Sequence, residues 1–161
     1  IKVYSEPGKG SVVNIFFPIT LKAPQESTDI SDVMPQTGSE SILLVDDDQV
    51  ILEMMEQLLE QLGYQVSAYS RSQEAFGMFS ADPGRFDLVI TDMTMPKMTG
   101  LELSKQLFSV APQIPVILCT GYSELINKEK AEDLGIRAFL LKPVLLKELS
   151  ETIRKVLDDG S

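Results

Sequence analysis

The stretch Asp87-Leu88-Val89-Ile90-Thr91-Asp92-Met93-Thr94-Met95-Pro96-Lys97-Met98-Thr99-Gly100 decides the fold. A short apolar run, Leu88 to Ile90, is followed two residues on by an acid. Pro96 and Gly100 then interrupt the chain before a helical pattern starts at Leu101. An apolar run of this length between turn signals reads as a strand buried on both faces, as in parallel sheets. In open α/β sheets, ligand chemistry sits just beyond the carboxyl ends of such strands. Asp92 stands there and is the central candidate residue. An Asp after a strand can equally be a turn former or a helix cap, so its meaning depends on what ends the other strands.

Outward from this stretch, strand and helix patterns alternate from Ser41 onward. Strands are expected over 42–45, 65–69 (an edge strand), 88–90, 116–119 and 138–141. The first helix carries Ile51, Met54, Met55, Leu58, Leu59 and Leu62 and is closed by Gly63. Further helices are expected over 72–80, 101–110 and 123–134, the last mostly polar. A fifth is lined by Leu145, Leu146, Leu149, Ile153, Val156 and Leu157. Five β/α units with short links call for an α/β fold, a five-stranded parallel sheet, doubly wound, with helices on both faces. In a flavodoxin-like order of 2-1-3-4-5 the four strands other than the edge strand would be neighbours.

Their ends then converge. The first strand ends in Asp46-Asp47-Asp48, the third in Asp92, the fourth in Thr120-Gly121 and the fifth in Lys142-Pro143. Singly, each is ordinary: adjacent acids cap helices, Thr caps helices, Lys sits on surfaces. Independent surface residues have no reason to share one crevice in this combination. Three carboxylates in one crevice repel unless a cation holds them, and oxygen ligands with a few waters suit Mg²⁺, with Mn²⁺ as a substitute. A metal, a lysine and a hydroxyl would stabilise charge on a phosphoryl group, and a carboxylate in reach can take that group as a nucleophile. An EF-hand reading of Asp46-Asp47-Asp48 fails for want of the glycine and distal Glu.

The bulk composition narrows the partners. The 161 residues include 24 acidic and 14 basic side chains, a net charge of −10, which disfavours nucleic acid and anionic membrane surfaces. With no histidine there is no imidazole acid/base and no phosphohistidine. The one cysteine, Cys119, permits no internal disulfide and falls in an apolar run. No signal peptide and no run long enough to span a bilayer is present, so a cytoplasmic location is expected.

Residues 41–161 resemble a response-regulator receiver domain. The motifs are Ile-Leu-Leu-Val-Asp-Asp at 42–47, D-x-x-M-P-x-M-x-G at 92–100, Val-Ile-Leu-Cys-Thr-Gly at 116–121 and Phe-Leu-Leu-Lys-Pro at 139–143. The resemblance implies that Asp92 is the phosphoacceptor and that Asp46 and Asp47 are metal-binding acids, with the Thr94 backbone carbonyl as a further metal ligand. It makes Thr120 the switch hydroxyl, Phe139 the switch aromatic and Lys142 the phosphate-pairing lysine. Thr94 and Tyr122 match positions whose side chains govern access to the phosphoryl group. It also implies a cis Lys142-Pro143 bond, and a switching face built from the helix over 123–134, the strand over 138–141 and the last helix. Asp48 stands where the family often has Glu. A phosphatase with D-x-D-x-[TV] is a poorer match, because Asp92 and Thr94 give D-x-T. A flavin-phosphate binder is poorer still, because three acids occupy the loop that would hold the phosphate.

Residues 1–20 read as a β-hairpin with Ile1, Val3, Val13, Ile15 and Phe17 on one face. Gly8-Lys9-Gly10-Ser11 lacks the spacing and following helix of a phosphate loop. The segment resembles the last two strands of a sensor histidine kinase ATP-binding domain, without that family's nucleotide-binding boxes. Residues 21–40 read as a linker. The chain starts at Ile1 in mid-pattern, so it is expected to be a piece of a hybrid sensor histidine kinase whose parent could be membrane-anchored. The piece itself is not expected to act as a kinase. The resemblance implies that the receiver catalyses its own phosphorylation and slow dephosphorylation. Expected partners are a histidine kinase or histidine phosphotransfer protein as donor, and a downstream regulator.

Overall fold

The computed structural model describes residues 1–17, 35–121 and 134–159. The chain divides into two compact units, Ile1–Val33 and Met34–Ser161.

In the first unit, β1 (Lys2–Glu6) pairs antiparallel with β2 (Gly10–Asn14). Gly8 and Gly10 take positive φ in the turn, and the Lys9 N–H closes it on the Glu6 carbonyl at 3.0 Å. The register sets Val3 opposite Val13 and Tyr4 opposite Val12. Val3 and Val13 therefore share one face, as expected, and Tyr4 and Val12 the other, because adjacent residues point to opposite sides of a strand. Ile15 and Phe17 lie beyond the last paired residue, Asn14.

The second unit carries β3 (Ser41–Val45), α1 (Gln49–Gln61), β4 (Gln65–Tyr69), α2 (Ser72–Ala81), β5 (Leu88–Asp92), α3 (Gly100–Val110), β6 (Val116–Thr120), β7 (Ala138–Leu141) and α4 (Leu146–Asp158). All four strand pairings are parallel and the order is β4-β3-β5-β6-β7. Counted within the unit this is 2-1-3-4-5, as expected. The helix expected over 123–134 lies outside the described residues, apart from Leu134. Among the described residues no helix is long and apolar enough to cross a membrane.

Every second residue of a strand faces the same layer, which explains the unbroken apolar runs. Ile42, Leu44, Ile90, Ile117 and Cys119 pack against α1 and α4, on Leu52, Met55, Leu59, Leu149 and Ile153. Leu43, Val45, Val89, Val116 and Leu118 pack against α2 and α3, on Ala75, Phe79, Leu103 and Leu107. The stripe of α1 corrects the expected one. Leu52, Met55 and Leu59 are buried, while Met54 is 43% exposed. With apolar residues at 50, 51 and 52, the helical phase is set by the sheet and not by the local pattern.

Residues 38–40 are tied into the second unit by hydrogen bonds and an ion pair. Gly38 N–H donates to the Leu62 carbonyl and Gln65 N–H to the Glu40 carbonyl, each at 3.0 Å. The Glu40 carboxylate accepts from the Arg154 guanidinium on α4, which lies over the Tyr64 ring. Gly63, with φ +93°, lets this strap approach: a Cβ there would stand 2.5 Å from the Gly38 carbonyl oxygen.

At the start of α3 the approach is tighter. Thr99 and Glu102 form a reciprocal capping box, and Gly100 N–H donates to the Met93 carbonyl at 3.0 Å. A Cβ on Gly100 would fall 2.2 Å from the Asp92 backbone oxygen. Gly100→Ala should therefore destabilise the domain by roughly 1–3 kcal/mol, the range of an overpacked site. Gly77→Ala, in the middle of α2 with nothing within 4 Å of the new methyl, should stabilise by about 0.5 kcal/mol through helix propensity. Urea denaturation of both variants checks the pair, and equal effects would contradict the close approach at Gly100.

Candidate functional site

The end of each buried strand delivers one polar group into a common crevice. β3 hands over to Asp46, which is 4% exposed although charged. One of its oxygens, Oδ1, accepts the Asp48 N–H at 3.0 Å. Asp48 itself is the N-cap of α1: its carboxylate accepts the N–H groups of Val50 at 2.9 Å and Ile51 at 3.4 Å. Of the three successive acids, one therefore caps the helix and two remain for the crevice.

Asp92 closes β5 and is 7% exposed. Its Oδ2 accepts the Thr94 N–H at 3.0 Å. Between the two buried acids stands Lys142, at the end of β7. Its Nζ is 2.8 Å from Asp46 Oδ2 and 2.7 Å from Asp92 Oδ1. The Lys142 N–H donates to the Thr120 carbonyl at 2.9 Å, which fixes where the lysine leaves the sheet. The Lys142-Pro143 peptide is cis, as expected.

Burial dominates the charge state of Asp92 and pushes its carboxyl above the usual carboxylate range. Lys142 opposes that shift through its hydrogen bond and charge, and Asp46 adds to it by repulsion. For Lys142, desolvation acts to lower the pKa, but the two carboxylates outweigh it and hold the ammonium above its ordinary value. Behind them Cys119 pairs with Asp92 across β5 and β6. Burial raises its thiol to about 12, so it is a packing group and not a nucleophile at neutral pH.

Asp47 is exposed at the rim. Asp46, Asp47 and Asp92 each bring a carboxylate oxygen to within 4.8 Å of the others. These hard oxygen donors, two of them drawn together around one ammonium, fit a divalent cation such as Mg²⁺. Receiver domains in general bind Mg²⁺ at an acidic pocket of this kind.

Thr120 is 1% exposed and its hydroxyl donates to the Gly121 carbonyl at 3.1 Å. Thr94 is exposed on the loop after Asp92. Phe139 is half-buried against the core layer that includes Met93, Met95 and Leu118. Tyr122 lies outside the described residues. Sequence reasoning missed the apolar cavity of about 440 Å³ that opens beside Asp46, Asp92 and Lys142, lined by Ile51, Met54, Met55 and Val144. The signal available was Met54, an apolar residue the sheet leaves without cover. It also missed Ser72, whose hydroxyl reaches the loop after Asp92.

Comparison with known proteins agrees with this geometry. The family described as "Response regulator receiver domain" matches residues 42–154. The aerobic respiration control sensor protein ArcB of Escherichia coli K12 is 30% identical over 98% of this chain, which spans 20% of that protein. Sensor kinase CckA of Brucella abortus is 29% identical over 96% of this chain and 17% of its own length. Among solved structures, a receiver domain protein from Clostridium thermocellum superposes with a TM-score of 0.72 at 34% identity, covering 74% of this chain and 95% of that one. A match over most of the folded unit, with the acids and the lysine converging where the strand ends require, means that the chain belongs to the response regulator receiver domain family.

Proposed function

We propose that Asp92 accepts a phosphoryl group from a phosphohistidine, carried by a histidine kinase or histidine phosphotransfer protein, and that the phosphorylated form presents an altered surface to a downstream partner. The observation that carries this reading is the bridge of one ammonium, Lys142, between Asp46 and Asp92 with Asp47 at the rim. In the reaction an Asp92 carboxylate oxygen attacks phosphorus, the P–N bond breaks, and the imidazole leaves with the bonding pair. Asp46, Asp47, Asp92 and the Thr94 carbonyl would hold Mg²⁺, which when bound neutralises the phosphoryl oxygens. Lys142 then moves its pairing from carboxylate to phosphoryl oxygen with little displacement, since it already lies 2.7 Å from Asp92 Oδ1.

The same reading gives Thr120 a second state. Its hydroxyl, which donates to the neighbouring Gly121 carbonyl, turns toward a phosphoryl oxygen, and Phe139 moves inward as it does. The preference for the switched state equals the difference in affinity between the two arrangements, here one charge-assisted hydrogen bond. The face expected to change is built from residues 123–134, β7 and α4. The Thr94 and Tyr122 side chains would flank the phosphoryl group and set how readily water reaches it. The parent reads as a hybrid sensor histidine kinase: the likeness to ArcB and CckA runs through the hairpin as well as the receiver, and this supports residues 1–20 as the end of a kinase ATP-binding domain.

A small phosphodonor with Mg²⁺ should add one phosphoryl group to the protein, and Asp92→Asn should remove that addition. Intact-mass spectrometry reads the result, and labelling of the Asn variant would refute Asp92 as acceptor. Lys142→Met should leave two buried carboxylates uncompensated. The raised pKa of Lys142 means its contribution is complete below the ordinary lysine value near 10.4 and is lost only as pH rises through its higher folded value. At pH 7 the variant should therefore lose on the order of 2 kcal/mol, less than a fully buried pair because Lys142 is 25% exposed. The loss should shrink as acid protonates Asp92, whose carboxyl burial holds above the usual range, and Mg²⁺ should stabilise the variant more than the parent. Thermal melts across pH, with and without Mg²⁺, test all three signs.

A further inference from the structure

Ser72 opens α2 and is 5% exposed. Its hydroxyl stands 2.9 Å from the Met98 carbonyl and 3.5 Å from Met95 Sδ. A hydroxyl has one proton, and the nearer, stronger acceptor takes it, so the carbonyl is the partner. Met95 and Met98 belong to the loop that follows Asp92. That loop is closed at its ends by the Gly100 N–H to Met93 carbonyl bond of 3.0 Å, and internally by Met98 N–H to the Pro96 carbonyl at 2.8 Å. Between them Lys97 has φ 68°, a left-handed conformation that a non-glycine residue keeps only where its surroundings impose it.

The Ser72 bond crosses 26 residues of sequence and ties the far side of this loop to α2. That helix is anchored by Ala75 and Phe79, both 0% exposed. Ser72, Met95 and Met98 also line one recess together with the rim acid Asp47. The hydroxyl thus links a rigid helix to a strained loop whose first residues carry the proposed metal ligand.

We propose that Ser72 is a positioning residue for the phosphorylation site: its hydroxyl fixes the loop after Asp92 and, through it, the Thr94 backbone toward the cation. This rests on the reading of Asp46, Asp47, Asp92 and the Thr94 carbonyl as the Mg²⁺ site. Ser72 touches neither the cation nor the phosphoryl group. Its effect is on how often the loop offers its carbonyl in the right place.

The test compares Ser72→Ala, Ser72→Thr, Ser80→Ala and Asp47→Ala in the full chain. Ser80 is the control, because its hydroxyl also bonds a backbone carbonyl, that of Phe76 within α2 at 2.8 Å, without reaching the loop. Mg²⁺ affinity is measured by calorimetry at a temperature where all four variants are folded. Amide exchange of Thr94 and Met98 is followed in metal-free protein. Ser72→Ala should bind Mg²⁺ roughly fivefold more weakly, the scale of one lost hydrogen bond. It should also exchange both amides several-fold faster, Ser72→Thr should restore both readouts, and Ser80→Ala should change neither. Unchanged affinity in Ser72→Ala alongside weakened affinity in Asp47→Ala overturns the role of Ser72 and leaves the metal site standing. A Thr variant as weak as the Ala variant also overturns it, since the hydroxyl would not be what matters. Unchanged affinity in Asp47→Ala overturns the metal reading and this inference with it.

Discussion

Confining two buried carboxylates and a third at the rim to one crevice is the constraint on which the molecule depends. Asp46 and Asp92 are 4% and 7% exposed, and such charges are tolerated only where something answers them. Lys142 answers both. The rest of the fold can be seen as the means of bringing that lysine in from the far strand. A parallel sheet points all its carboxyl ends the same way, and the order β3-β5-β6-β7 sets the acids and the lysine on one edge. The apolar layers on both faces make the strands rigid enough to hold separations below 3 Å.

The same constraint makes the site responsive. A single ammonium shared by two acids is an arrangement that a divalent cation or a phosphoryl group alters directly, since each competes for the same partners. Thr120 and Lys142 are adjacent on neighbouring strands and joined by a backbone hydrogen bond. Any change in what Lys142 pairs with is therefore felt at Thr120. Phe139, on β7 three residues before Lys142, is half-buried against the core layer.

Most of the sheet and the centre of the site were legible in the sequence because they rest on strong local signals. The run 42–45, the run 88–90 and the acids that follow them are set by alternation between two buried layers and by chain breaks at Pro96 and Gly100. What escaped was decided by long-range packing. Three apolar residues in succession at 50–52 leave the phase of α1 open, and only contact with β3 and β5 selects Leu52 over Met54. The strap at 38–40 is polar and aperiodic, and its order comes from Arg154, 114 residues away from Glu40. Ser72 carried no signal at all, since a serine at a helix start is ordinary and its partner lies 26 residues downstream.

Cys119 has a consequence of a different kind. It sits directly beside Asp92 in the sheet, and its thiol is silenced by burial at about 12. Cys119 is 4% exposed and lines the cavity beside Asp46, Asp92 and Lys142, so an alkylating reagent reaches it from that crevice. The rate of its modification is therefore a clock for opening of that crevice. Because this is the only cysteine of the chain, a mass shift from such a reagent reports that opening without ambiguity, and comparing clocks with and without bound cation measures how firmly the crevice is tied shut.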